Sequence, residues 1–201
     1  MVIVKPAAFV RPELTMPVAE AALLRKSYAQ ADVILEYGSG GSTCEAAEMA
    51  EKTVFSVESD KNWCDGLRQW FVGHPPRANL HLHHVDLGPT EKWGKPQSDK
   101  HWRRFHRYPY SIWQTQDFRH PDVVLVDGRF RAACFLATLF SITRPINLLF
   151  DDYTDRASYH EVEFFGPPTQ IHGRMALFEL IPTPIPQSKM PWIFDVFTRQ
   201  L

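Results

Sequence analysis

The chain has 201 residues, 44% of them hydrophobic and 22% charged, a balance typical of one globular domain with a single core. Its formal net charge of −1 gives no general argument for a polyanionic partner or a membrane surface. Its three cysteines form no CxxC pair, which favours a reducing compartment over a disulfide framework. Without a visible secretory signal or a bilayer-length apolar stretch, we expect a cytoplasmic protein that does not engage a membrane.

Short apolar strands alternate with helices along most of the chain, as in a parallel sheet covered on both faces. The predicted helices are TMPVAEAALLRKSYAQ, the segment from Ser42, DKNWCDGLRQWFVG and RFRAACFLATLFSI. The predicted strands are DVILEYG, TVFSVES, NLHLHHVDLG, PDVVLVDG and INLLFDDY. Because crossovers between parallel strands are right-handed, we expect one α/β domain over residues 1–201, with a doubly wound, mostly parallel sheet.

Two helix starts have specific local patterns. Thr15 is the predicted N-cap of the first helix, with Pro17 in its first turn. Ser42 and Glu45 have the spacing of a capping box at the start of the second helix.

The last part of the chain departs from the alternation of strands and helices. Two short strands around His172 and Gly173 predict a C-terminal antiparallel hairpin. Residues 181–201 contain four prolines, so we expect an extended tail that packs on the sheet or on a second subunit. The second arrangement would make a homodimer.

A long segment, residues 88–121, separates the third and fourth strands where a compact unit would have a helix. We call it the insertion. Its many aromatic residues argue against disorder, and we expect it to fold over one end of the sheet and to affect turnover more than cofactor affinity.

The first strand ends in Glu36 and is followed by a glycine-rich turn, LEYGSGGS, before the second helix. A dinucleotide fingerprint would need a third glycine where Thr43 stands, and no Gly-Lys-Ser/Thr of a phosphate loop follows. An acid before the glycines instead favours a ligand with a cationic group, because a carboxylate repels pyrophosphate. Glu58, at the end of the second strand, is placed to accept hydrogen bonds from ribose hydroxyls, and Asp86 follows the third strand.

Four motifs in order, LEYGSGGS, VFSVES, HVDLG and DVVLVDG, resemble those of the class I S-adenosylmethionine-dependent methyltransferases over roughly residues 32–153. The resemblance implies that the glycine turn wraps the methionine part of the cofactor, that Glu58 binds the ribose and that Asp86 lies near the adenine. The implied cofactor-binding residues are Glu36, Tyr37, Gly38, Ser39, Gly40, Gly41, Ser42, Glu58, Ser59, Asp86 and Asp127. Nicotinamide dinucleotide is the alternative ligand, disfavoured by the missing third glycine.

Three acids follow the fourth and fifth strands: Asp127, Asp151 and Asp152. Converging carboxylates need a shared cation or proton, and hard oxygen ligands suit Mg²⁺. An Asp-Gly and an Asp-Asp at these strand ends are similar to the macrocin-type O-methyltransferases, which implies a divalent ion. That subgroup continues with an acid and a histidine, whereas Arg129 and Phe130 follow here. Arg129 and Arg131 could therefore neutralise the acids as ion pairs instead.

These features predict methyl transfer from S-adenosylmethionine to an oxygen of a small molecule, with Asp127 accepting the proton. The alternative is a related protein that binds the cofactor without chemistry. The segment KHWRRFHR mixes bases with aromatic residues, yet the near-neutral chain disfavours nucleic acid. We expect the histidines of HLHH to lie on an exposed edge strand.

Overall fold

The computed structural model describes residues 9–200. The helices are α1 (Val18–Gln30), α2 (Gly41–Ala47), α3 (Lys61–Gly73), α4 (Arg107–Tyr110), α5 (Arg131–Ser141) and α6 (Met190–Val196). The strands are β1 (Val33–Tyr37), β2 (Thr53–Glu58), β3 (Asn79–His84), β4 (Val123–Val126), β5 (Ile146–Phe150), β6 (Gln170–His172) and β7 (Met175–Leu180). Among the described residues, no helix is both long and apolar enough to cross a membrane.

The seven strands form one sheet in the order β3-β2-β1-β4-β5-β7-β6. The first five strands are parallel, and β7 runs antiparallel to both β5 and β6. This confirms the predicted doubly wound sheet and its C-terminal hairpin. The chain moves outward from β1 to β3 and then returns beside β1 with β4, so strand order reverses between β1 and β4. A ligand cleft is expected beyond the carboxyl ends of the strands at this reversal.

Apolar side chains cover both faces of the sheet. Alternate residues of β1 face opposite sides, so Leu35 joins the core with α5 and Ile34 joins the core with α1. β3 lies at the edge of the sheet, as predicted. Its histidines are half-buried rather than exposed, and His83 Nε2 lies 2.8 Å from Ser111 Oγ of the insertion.

Both predicted helix starts are wrong in detail. α1 begins at Val18, with Pro17 rather than Thr15 in the N-cap position. α2 begins at Gly41 after Gly40, whose backbone N–H donates to Thr43 Oγ1 at 2.9 Å. The predicted capping box does not form.

The tail is not extended throughout. α6 is helical, and Ile193 and Val196 pack into the same core as α5. Pro191 is compatible with this helix because proline needs no N–H donor in the first turn. This part of the tail therefore packs on its own chain.

The insertion forms most of the crossover layer between β3 and β4. It contains short 3-10 turns and the single helical turn α4. Phe105, Tyr108 and Ile112 are at most 2% exposed and belong to the core on the α5 side of the sheet. The expectation that this segment only covers one end of the sheet is wrong for its second half, because these side chains take the place of a crossover helix.

Candidate functional site

The turn after β1 meets the turn after β4 at the strand reversal. Gly38 has φ +102°, in the left-handed region that favours glycine, and a Cβ on it would lie 2.8 Å from Gly128 Cα. The two turns can approach this closely only because both residues lack side chains. The resulting edge of the sheet brings the glycine turn, the end of β2 and Asp127 together.

Glu58 lies at the end of β2, as predicted, and its carboxylate accepts three backbone hydrogen bonds. Oε1 accepts from the N–H groups of Ser59 and Asp60, both at 2.7 Å, and Oε2 accepts from the N–H of Ser39 at 3.2 Å. Burial raises the pKa of Glu58, and the three hydrogen bonds act in the opposite direction. A carboxylate has about four acceptor positions, so roughly one stays free for a ligand hydroxyl.

Glu36 is fully buried, and its carboxylate faces the helices on the α1 side of the sheet. It accepts hydrogen bonds from Tyr28 Oη at 2.7 Å and Thr43 Oγ1 at 2.6 Å. Burial raises the pKa of Glu36, and the Thr43 and Tyr28 hydrogen bonds oppose this rise. In this arrangement Glu36 ties α1 and α2 to β1, and its contact with a cationic ligand stays a prediction.

The side chain of Tyr37 lies in the core rather than at the turn. Its hydroxyl donates to Pro109 O at 2.6 Å and accepts from Trp113 Nε1 at 2.7 Å. Both partners belong to the insertion, so this tyrosine anchors the insertion to β1. A contact between Tyr37 and a ligand in the cleft would have to come from its backbone.

The other residues of the glycine turn differ in their surroundings. No atom lies within 4 Å of a Cβ placed on Gly40, so there is space beside this residue. Ser39 is partly exposed, and its Oγ lies 2.7 Å from Ser56 Oγ. Gly41 packs against the backbone of Glu13, and Ser42 is buried. Ser39 and Gly40 are therefore the members of this turn that face accessible space.

Asp86 lies two residues beyond β3, with an exposed side chain. Its carboxylate accepts from the N–H of Gly88 at 2.9 Å and pairs with Arg104 at 2.8 Å. The Gly88 hydrogen bond, together with Arg104, lowers the pKa of Asp86. Its predicted position near an adenine is not tested by these contacts.

The first half of the insertion covers the end of β2. Residues 92–94 form a turn, which we call the tip, and Gly94 O accepts a hydrogen bond from Ser59 Oγ at 2.8 Å. A Cβ on Gly94 would lie 2.9 Å from Glu58 Oε1 and would overlap Ser59 Oγ. Trp93 O accepts from Arg129 Nε at 2.8 Å. The tip thus lies against Glu58, the predicted ribose ligand, and against Ser59, another of the predicted cofactor-binding residues.

The predicted acids converge after β4 and β5. One carboxylate oxygen from each of Asp127, Asp151 and Asp152 lies within 4.8 Å of the others. Arg131, only 5% exposed, pairs with Asp127 at 3.1 Å and Asp152 at 3.2 Å. It also donates to the backbone oxygens of Gly128, Asp151 and Asp127. This guanidinium therefore joins the ends of both strands.

Two further arginines pair with the same acids. Arg156 contacts Asp152 at 3.0 Å, and Arg174 contacts Asp151 at 3.1 Å and Asp152 at 3.0 Å. Three guanidinium groups thus face three carboxylates, and their charges balance when all three carboxylates are ionised. Because the arginines share the carboxylate oxygens that a metal would need, these residues do not fit a divalent cation. The predicted Mg²⁺ site is therefore not supported.

The arginines were only partly identifiable from the sequence. Arg131 was predicted as an ion-pair partner, but Arg129 contacts the tip instead of the acids. Arg156 lies four residues after Asp152, but the segment between them is a turn rather than a helix, so the rule for helical pairs does not account for this contact. Arg174 lies on the far side of the hairpin, and no local pattern indicates its pairing.

Asp127 has an unusual protonation equilibrium. Loss of solvation raises its pKa to about 7; Arg131 opposes this rise, and the charges of Asp151 and Asp152 add to it. The ordinary value of 3.8 lies below the folded one, so the folded state binds this proton more tightly than the unfolded chain does.

We expect the free energy of unfolding to fall as the pH rises from about 4 to about 7, because Asp127 then loses its proton at a cost to the folded state. Asp127→Asn should show a smaller fall over this range. Urea denaturation of both proteins at about pH 4.5 and about pH 7.5 measures the difference. Identical pH dependence in the two proteins would show that Asp127 titrates normally.

The fold is shared with solved methyltransferases. A methyltransferase from Geobacter sulfurreducens matches with a TM-score of 0.53 at 12% identity, over 83% of this chain and 80% of its own. The O-methyltransferase TomG from Streptomyces achromogenes, involved in tomaymycin synthesis and solved in complex with S-adenosylmethionine, has a TM-score of 0.50 at 15% identity. The match covers 76% of this chain and 67% of TomG. At these identities the likeness shows a Rossmann-like methyltransferase fold and no more.

A nearer relative shows the family. A methyltransferase-like protein from Silicibacter pomeroyi is 53% identical, with a TM-score of 0.88 over 94% of this chain and 98% of its own. The chain belongs to the class I S-adenosylmethionine-dependent methyltransferase family. Comparisons with protein-family models and with curated proteins give no match.

Proposed function

We propose that the protein binds S-adenosylmethionine at the carboxyl ends of β1, β2 and β4 and transfers its methyl group to an oxygen of a small molecule. The observation that carries this proposal is the junction of the glycine turn with Glu58, through the 3.2 Å hydrogen bond from Ser39, beside the strand reversal. The O-methyltransferase name of TomG and its bound cofactor support the same assignment.

The residues at this edge suit the parts of the cofactor. Glu58 would accept a hydrogen bond from a ribose hydroxyl, and the space beside Gly40 would admit the methionine part. When bound, the cofactor supplies an electrophilic methyl group, so the protein mainly has to position the acceptor. Asp127, with a pKa raised to about 7, would accept the acceptor's proton near neutral pH.

Cofactor binding is tested by thermal stability. We expect saturating S-adenosylhomocysteine to raise the Tm by about 5 °C, since a ligand that binds only the folded state stabilises it, and NAD to leave the Tm unchanged. Glu58→Gln should lose most of the shift, because the amide cannot reproduce the carboxylate's hydrogen bonds. Glu179→Gln, an exposed change on β7, is the matched control. An unchanged shift in Glu58→Gln would remove Glu58 from the proposed site.

A second candidate is a cofactor-binding relative without chemistry. It is favoured by the pairing of all three acids with arginines, which leaves Asp127 only partly available as a base. Release of S-adenosylhomocysteine from S-adenosylmethionine, followed over a panel of hydroxyl-bearing acceptors with and without Mg²⁺, separates the two candidates. Cofactor binding without turnover on any acceptor would support the second.

A further inference from the structure

The tip of the insertion has a strained backbone with little side-chain packing to hold it. Trp93 has φ 66° and ψ 25°, a left-handed conformation that is rare for a bulky residue. Its side chain is 67% exposed, so the ring does not hold this conformation by burial. Such strain persists only where surrounding contacts enforce it, and it is concentrated at ligand sites and switch regions.

Backbone hydrogen bonds enforce the strain from two sides. Within the insertion, Glu91 N–H donates to Lys95 O at 2.7 Å, and Gly94 N–H donates to Glu91 O at 3.1 Å. Across the cleft, Ser59 Oγ donates to Gly94 O at 2.8 Å and Arg129 Nε donates to Trp93 O at 2.8 Å. The two cross-cleft donors come from the ends of β2 and β4.

These contacts place the tip beside Glu58 and Ser59, where a cofactor bound at the carboxyl ends of the strands would lie. Ser59 gives its hydroxyl hydrogen to the tip, and Glu58 Oε1 lies 2.9 Å from the position of a Cβ on Gly94. Ser59, one of the predicted cofactor-binding residues, is therefore already bonded to the tip, and a ligand that approached Glu58 from the Oε1 side would meet the backbone of Gly94. The tip and the cofactor cannot both occupy this space.

We propose that the tip, residues 92–94, is a built-in competitor that closes the cofactor site, held by Ser59 and by Arg129, and that cofactor binding requires its displacement. This inference rests on the proposed function. A site that is open for only part of the time has an apparent affinity reduced by the open fraction. Weakening the closed tip should therefore tighten binding rather than weaken it.

Two variants weaken the closed state in different ways. Gly94→Ala adds a Cβ that overlaps Ser59 Oγ and disfavours the residue's φ of +69°. Arg129→Ala removes the hydrogen bond to Trp93 O. In isothermal titration with S-adenosylhomocysteine, we expect roughly fivefold to tenfold tighter binding in the first and about threefold to fivefold in the second.

Gly166→Ala is the matched control for backbone strain. Gly166 also has a positive φ, of +123°, but no atom lies within 4 Å of its Cβ position. It lies outside the cleft, in the segment between β5 and β6. The Gly166→Ala variant should bind S-adenosylhomocysteine with the same affinity as the parent.

Hydrogen exchange of the parent protein gives a second readout that does not depend on any substitution. S-adenosylhomocysteine should speed exchange in peptides covering residues 91–96, because the tip loses its hydrogen bonds, and should slow exchange over residues 36–43. A tip that simply forms a wall of the site would be protected by the ligand instead.

The outcomes separate the inference from the proposed function. Suppose the parent binds S-adenosylhomocysteine but Gly94→Ala binds it no more tightly, or the ligand slows hydrogen exchange of residues 91–96. Either result would overturn the proposal that the tip competes with the cofactor, and the proposed cofactor site would remain supported. If the parent, Gly94→Ala and Arg129→Ala all fail to bind S-adenosylhomocysteine, both the competing tip and the proposed cofactor site are overturned. Tighter binding in Gly94→Ala together with faster exchange at the tip supports both.

Discussion

Arg131→Met should lower the free energy of unfolding by about 2–4 kcal/mol, because it leaves the Asp127 carboxylate and three backbone oxygens without the buried guanidinium that they share. Arg131 is 5% exposed and pairs with both Asp127 and Asp152. The methionine side chain keeps most of the apolar stem, so the loss would report mainly the guanidinium. Urea denaturation at neutral pH measures the change.

Arg129→Met is the matched control for this prediction. Arg129 is half-buried and pairs with no carboxylate among residues 9–200; its hydrogen bond is to Trp93 O. We expect Arg129→Met to lower the free energy of unfolding by no more than about 1 kcal/mol, the usual loss for one hydrogen bond. Mg²⁺ should not raise the Tm of the parent, because the arginines already neutralise the acids. Equal effects of the two substitutions, or clear stabilisation of the parent by Mg²⁺, would contradict the ion-pair cluster.

Phe105→Ala should lower the free energy of unfolding by about 3–5 kcal/mol, the usual loss for a large aromatic side chain in a closed core. Phe105 is 0% exposed, and its ring centroid lies 5.1 Å from that of Phe130 at the start of α5. The substitution would leave a cavity between the insertion and α5. Thermal and urea denaturation measure the loss.

Trp102→Ala is the control in the same segment. Trp102 is 46% exposed, so its removal should change stability by less than about 1 kcal/mol.

Deletion of residues 92–116 should prevent folding, because it removes Phe105, Tyr108 and Ile112 from the core together. A folded deletion protein would show that the insertion is dispensable to the core, as the sequence had suggested.

Local sequence patterns predict that the insertion is ordered, but they do not show whether it covers a cleft or fills the core. Its aromatic content indicates order, but each residue could equally cover a cleft or fill a core. Tyr108 is fully buried only because Tyr37, Val57 and Phe130 approach it from β1, β2 and the turn before α5. Contacts between such distant parts of the chain depend on the assembled sheet.

Glu36 shows the same limit at the candidate site. Its position before the glycine turn is visible in the sequence, and the end of a strand is where ligands bind. Strand alternation places Glu36 on the same face as Ile34, the α1 side of the sheet. The hydrogen bonds that its carboxylate accepts there come from Tyr28 and Thr43, on two different helices, and strand periodicity does not indicate these partners.

The sequence by itself determined the alternation of strands and helices, the glycine turn, the C-terminal hairpin and the acids at the strand ends, because these follow from apolar periodicity and from turn-forming residues. Only the tertiary structure decided how the acids are neutralised. The antiparallel register pairs Phe150 with Ala176, and two residues further on it brings Arg174 opposite Asp152. Pairing between residues so far apart in the chain is fixed by strand register, so the choice between a metal and an ion-pair cluster could be made only once the sheet had formed.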